Sequence, residues 1–105
     1  MFFNEIDFNP GTVGFDGFDI DPNRPLKDQE DSLREDMFQV NYGDKYTIDI
    51  GWKPNLNING KFKIRIIKDY DWDNPIFYKK TNDLKILRKH VKECAEIVRN
   101  LLKNN

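Results

Sequence analysis

Three groups of residues in this chain have types and spacing that could support chemistry. Asp69, Asp71 and Asp73 occupy the first, third and fifth positions of a calcium-binding loop. Such a loop needs a turn glycine at position six and a bidentate glutamate at position twelve. Asn74 and Lys80 stand there instead. The segment therefore reads as an acidic turn between strands, with Tyr70 or Trp72 covering a core edge. His90 and Cys94 lie four residues apart, one helical turn, which can bring an imidazole to a thiol. Cys94 belongs to an apolar stripe, however, and no orienting group or oxyanion site accompanies the pair. Gly11, Gly14 and Gly17 are spaced by three and lead into no convincing helix, so they match neither phosphate-binding fingerprint. The expectation is a binding protein and not an enzyme, with no metal and no cofactor.

Basic residues form the next group. Lys61, Lys63 and Arg65 alternate along one segment, with Lys79 and Lys80 near in sequence. Lys85, Arg88, Lys89, Lys92 and Arg99 follow. A basic sheet and helix face can track phosphates, which makes a small nucleic-acid-binding domain the alternative reading. Against it, Phe62 and Trp52 fall on the apolar face of the same segments, and a stacking platform needs exposed aromatics.

The elements that must position these groups follow from periodicity. Phe38, Val40 and Tyr42 alternate with polar neighbours; so do Tyr46, Ile48, Ile50 and Trp52, and then Phe62, Ile64 and Ile66. Period two with one apolar face predicts half-buried antiparallel strands. Gly43-Asp44 and Asn59-Gly60 are turn dipeptides. A fourth strand is expected near 76–80. Leu84, Leu87, Val91, Cys94, Ala95, Val98, Leu101 and Leu102 recur at helical spacing, predicting a helix from about Asp83 to Lys103 capped by Thr81 or Asn82. Residues 26–37 suit a short helix opened by Pro25. Residues 1–25 mix Phe with Gly, Pro and Asp, predicting an irregular arm pinned by Phe, with a short strand near 13–20. The predicted fold is α+β: an antiparallel meander of about four strands, a C-terminal helix on one face, and an irregular acidic N-terminal arm.

A chain of 105 residues is one domain by length. Its single cysteine makes no internal disulfide, as expected of a reducing cytoplasm. No apolar run reaches a membrane span, and the first residues carry no secretory pattern. The net charge of −1 conceals a division. Residues 1–50 hold twelve acids and four bases; residues 51–105 hold six acids and thirteen bases. Either the acidic half folds against the basic half, as an internal electrostatic clamp, or an acidic face stays open for a basic partner.

Residues 46–75, YTIDIGWKPNLNINGKFKIRIIKDYDWDNP, resemble the core of small bacterial immunity proteins of contact-dependent growth inhibition and other polymorphic toxin systems. The resemblance rests on Asp49-Ile50-Gly51-Trp52 with Pro54, Gly60-Lys61-Phe62, and Asp71-Trp72-Asp73-Asn74-Pro75, followed by the closing helix. It implies a cytoplasmic protein, a monomer or a 1:1 complex with its toxin, that binds one toxin domain and blocks it. Such toxins are commonly nucleases with basic clefts. Opposite potentials speed encounter and desolvated aromatics supply affinity. The expected contacts are Asp16, Phe18, Asp19 and Asp21 in the arm, and Asp28, Glu30, Asp31, Glu35 and Asp36 in the acidic segment. The loop Asp69, Tyr70, Asp71 and Asp73 is a second candidate.

Overall fold

A computed structural model describes residues 2–104. The three strands predicted from alternation are present as β2 (Phe38–Tyr42), β3 (Tyr46–Lys53) and β4 (Lys61–Lys68). Two further strands flank them, β1 (Thr12–Asp16) and β5 (Phe77–Thr81), giving one antiparallel sheet in the order β1-β2-β3-β4-β5. The α+β class stands, but the sheet has five strands and not four. The extra strand, β1, lies inside the arm expected to be irregular. All five of its residues are exposed, and its pairing with β2 shifts register between Val13 and Phe15. The short strand expected near 13–20 is this one; with all its side chains exposed, it starts one residue earlier and ends four residues sooner.

The helix α1 (Leu84–Lys103) packs Leu87, Val91, Cys94, Ala95 and Val98 onto one face of the sheet. Beneath them lie Ile48, Ile50, Trp52, Phe62, Ile64 and Ile66, all fully buried. The cap is Asp83, whose carboxylate accepts from the Lys85 and Ile86 amides at 2.8 and 3.0 Å. Thr81 and Asn82, expected as caps, are not; the Thr81 hydroxyl instead accepts from the Asp83 amide and fixes that residue. No helix is long and apolar enough to cross a membrane among the described residues.

The N-terminal residues complete the core. Phe3, Phe8 and Phe18 are buried beside the helix, with ring centroids 4.7 Å (Phe3–Phe38), 5.7 Å (Phe8–Phe38) and 5.9 Å (Phe18–Phe62) apart. The helix holds this segment from above. Arg88 lies 4.0 Å over the Phe2 ring and donates to the Phe2 carbonyl, and Arg99 donates to the Asp7 carbonyl at 3.0 Å. Phe18 was an expected partner contact; at 8% exposure it is core and cannot serve. Its apolar ring gains more from the Phe cluster than it could while exposed.

The short helix expected over 26–37 is present over its first part only, opened by Pro25, and it is not α-helical. Leu26–Ser32 is a 3₁₀ segment broken at Gln29, whose φ is −131°. Leu26, Leu33 and Met37 are too sparse an apolar set to hold a helical face, and buried Gln29 organises the segment instead.

Candidate partner-binding surface

The acidic segment is fixed by its backbone contacts. Gln29 is 7% exposed. Its side-chain oxygen accepts from the Asp21 amide at 2.7 Å, and its Nε2 donates to the Asp21 and Arg24 carbonyls at 3.0 and 3.1 Å. One side chain thus ties 21–24 to 26–32. The chain then runs along the end of β3. The Trp52 amide donates to the Arg34 carbonyl at 2.7 Å, the Met37 amide to Ile50 at 3.0 Å, and the Leu56 amide to Leu33 at 2.7 Å. The Glu35 amide donates to the Asn55 side chain at 2.8 Å. A side chain at position 51 would collide with the Glu35 carbonyl, so the close approach requires Gly51.

This framework holds eight acids against three bases over residues 16–36. Asp16, Asp19, Asp28, Glu30, Asp31, Glu35 and Asp36 are exposed and Asp21 is half-buried. Adjoining depressions connect them. One is lined by Asp19, Asp21, Asp28, Glu30 and Asp31 together with Arg24 and Lys27; the next by Asp31, Glu35, Asp36, Asn55 and Leu56 together with Arg34. None of the eight makes an ion pair among the described residues. Among the described residues, these eight acids thus form no ion pair with Lys61, Lys63 or Arg65. Arg65 pairs with Asp49 at 2.7 Å, and Gln39 donates to the same carboxylate at 2.8 Å.

The second candidate loop lies elsewhere. The Asp69 amide donates to the Lys45 carbonyl, at the opposite end of β3 from Trp52. Eight residues of strand place the two acidic groups about 25 Å apart. Asp69, Tyr70, Asp71 and Asp73 are exposed, and Asp69 and Tyr70 have positive φ of 53° and 58°. Asp71 accepts from the Asn74 amide group at 3.2 Å. Trp72, expected over a core edge, is 40% exposed, with the Arg65 guanidinium 5.5 Å from its ring centroid. Among the described residues, no three His, Cys, Asp or Glu side chains converge as metal ligands.

The His90–Cys94 pair does not assemble. His90 Nδ1 lies 3.2 Å from Glu93, while Cys94 is fully buried and burial pushes its thiol up from the ordinary range. A thiol held neutral is no nucleophile. Burial also pushes Tyr42 up to about 12. Hydrogen bonds from Asn9 lower Asp7.

Leu56 was not among the expected contacts. It is 47% exposed, has φ of +60°, and sits between Glu35, Asp36 and Asn55. An apolar side chain thus stands open in left-handed backbone, a conformation that is costly for a residue with a Cβ. In the sequence it is one residue of a polar turn, PNLNING, and only its apolar type marks it. In the arm, Val13 and Phe15 on β1 are open apolar groups, 39% and 45% exposed. Comparison with known proteins matches this chain to no family model, no curated protein and no solved structure.

Proposed function

We propose that this chain is an immunity protein that binds a cognate bacterial toxin domain, a nuclease with a basic cleft, and neutralises it. The observation that supports this reading is the strip of eight acids over residues 16–36, exposed or half-exposed, without an ion pair among the described residues, and tied down by backbone hydrogen bonds. A rigid strip loses little conformational freedom on binding, which favours affinity. Asp28, Glu30, Asp31, Glu35 and Asp36 form its rim, and Leu56 is its apolar anchor. The loop at Asp69–Asp73 is a separate surface at the other end of the sheet.

The test uses the toxin domain encoded next to this chain. Asp28→Asn, Glu30→Gln, Asp31→Asn and Glu35→Gln together should leave the denaturant midpoint almost unchanged, because all four side chains are exposed. Toxin association should slow, and the difference from the parent should shrink at 1 M salt, where the screening length is about 3 Å. A parent protein that neither binds nor inhibits that toxin refutes the reading.

A further inference from the structure

The face of the sheet that α1 leaves open carries two like-charged pairs side by side. Lys53 on β3 stands directly opposite Lys61 on β4, and Lys63 on β4 directly opposite Lys80 on β5. Like charges directly opposite each other across a sheet are destabilising. None of these four lysines has a carboxylate within ion-pair distance among the described residues. They line one depression of about 360 Å³ with Gly60 and Tyr78, and no acid lines it. Tyr78 is 40% exposed, with the Lys63 and Lys80 ammonium groups 5.9 and 5.6 Å from its ring centroid. Three strands thus deliver four cations around one open aromatic ring, and two of them, Lys53 and Lys63, also line the adjoining cavity with Glu35, Asp36 and Asp49.

We propose that this depression binds a short stretch of single-stranded nucleic acid. Two features favour it over an acidic protein segment. Lys61 and Lys63 are two residues apart on one strand, about 6.6 Å, so successive phosphates of an extended strand can each meet a cation. Tyr78 offers a base a ring on which to stack between the phosphate contacts. The covered aromatics Phe62 and Trp52 supply no such platform, but Tyr78 does. A phosphate between each lysine pair turns a repulsion into two attractions. The site shares no residue with the rim of the acidic strip and does not depend on the immunity reading.

The test is anisotropy of the intact protein with labelled oligouridylate and oligothymidylate of about fifteen nucleotides, between about 50 and 200 mM salt. With four lysines engaged, log K should fall against log salt with a slope of about −2.8. Lys63→Gln should reduce that slope by about 0.7. Tyr78→Ala should weaken binding roughly 5- to 150-fold, the stacking contribution of one base, and Tyr78→Phe should preserve it. Lys89→Gln with Lys92→Gln removes two exposed helix cations and should change nothing. The proposal is overturned by absence of saturable binding, by an equal loss in the helix variant, or by a Tyr78→Ala protein that binds as the parent does. Displacement of the oligonucleotide by polyglutamate at equal charge concentration would overturn it in favour of an acidic protein partner.

Discussion

Leu56 separates stability from binding, and its replacement by glycine tests the acidic surface most directly. The residue holds φ of +60° because its amide is drawn to the Leu33 carbonyl at 2.7 Å while its neighbour Asn55 receives the Glu35 amide. Left-handed backbone costs a residue with a Cβ about 1–2 kcal/mol. Glycine removes that cost but adds about 0.5–1 kcal/mol of unfolded-chain entropy. The folded protein should therefore gain between zero and about 1.5 kcal/mol, seen as a raised or unchanged denaturant midpoint. Binding should move the other way. Fully burying a leucine is worth about 1.5–3 kcal/mol, and Leu56 is 47% exposed before any partner arrives. Burying that remainder is worth roughly 0.7–1.4 kcal/mol, or about three- to elevenfold in toxin affinity. Leu56→Asn, which tolerates the same backbone, should show the same affinity loss. A glycine variant that loses more than about 1 kcal/mol of stability refutes the strain argument. One that binds toxin as the parent does refutes the anchor.

Two further substitutions probe the core. Trp52→Ala removes a fully buried ring, its 4.7 Å contact with Phe62 and a 2.7 Å hydrogen bond to the Asn57 carbonyl; chemical unfolding should show a loss of about 3–5 kcal/mol. Tyr42 is 5% exposed and its hydroxyl has no hydrogen-bond partner among the described residues, so Tyr42→Phe should leave stability at pH 7 unchanged or raise it by up to about 1 kcal/mol. Its raised value also sets a pH dependence. A group raised on folding stabilises below its ordinary value, 10.0 for Tyr42, and that contribution is lost as pH climbs toward about 12. Cys94 acts in the same direction from 9.0. Alkaline melts of the parent should decline across this range, and those of Tyr42→Phe should decline less; identical profiles would exclude Tyr42 as a contributor.

The elements that were legible are those whose side chains meet one partner surface. β2, β4 and α1 bury every second residue or every third and fourth most deeply, β3 adds burial on its other face to the same alternation of types, and their bounds match the pattern within a residue or two. β1 was only hinted at because its ladder with β2 carries it and its side chains stay in solvent. The acids were readable as exposed because a carboxylate rarely stays buried without a partner; the exception, Asp49, has Arg65 and Gln39. Phe18 and Leu56 exchanged their expected places for one reason. Phe18 turns inward because Phe2, Phe3 and Phe62 are there to receive it. Leu56 stays out because a carbonyl twenty-three residues earlier in the chain fixes its backbone. Neither contact is local, so no local pattern records it.

The division of charge along the sequence persists as a division across the surface. Among the described residues, only Asp49 and Asp7 of the acidic half meet bases of the basic half, through Arg65 and Arg99. Folding therefore spends little of the opposite charge on itself. The acidic depressions and the lysine depression nonetheless adjoin, because Glu35, Asp36, Lys53 and Lys63 all line the small cavity above Gly51. At physiological salt the screening length is about 8 Å. Charges facing each other across that cavity feel one another, while Asp28 and Glu30 line a separate depression, shared with Arg24 and Lys27 but with none of these lysines. The outer acids are thus the ones free to steer a basic partner at a distance, and Glu35 and Asp36 are the ones whose strength depends on what occupies the lysine pairs beside them.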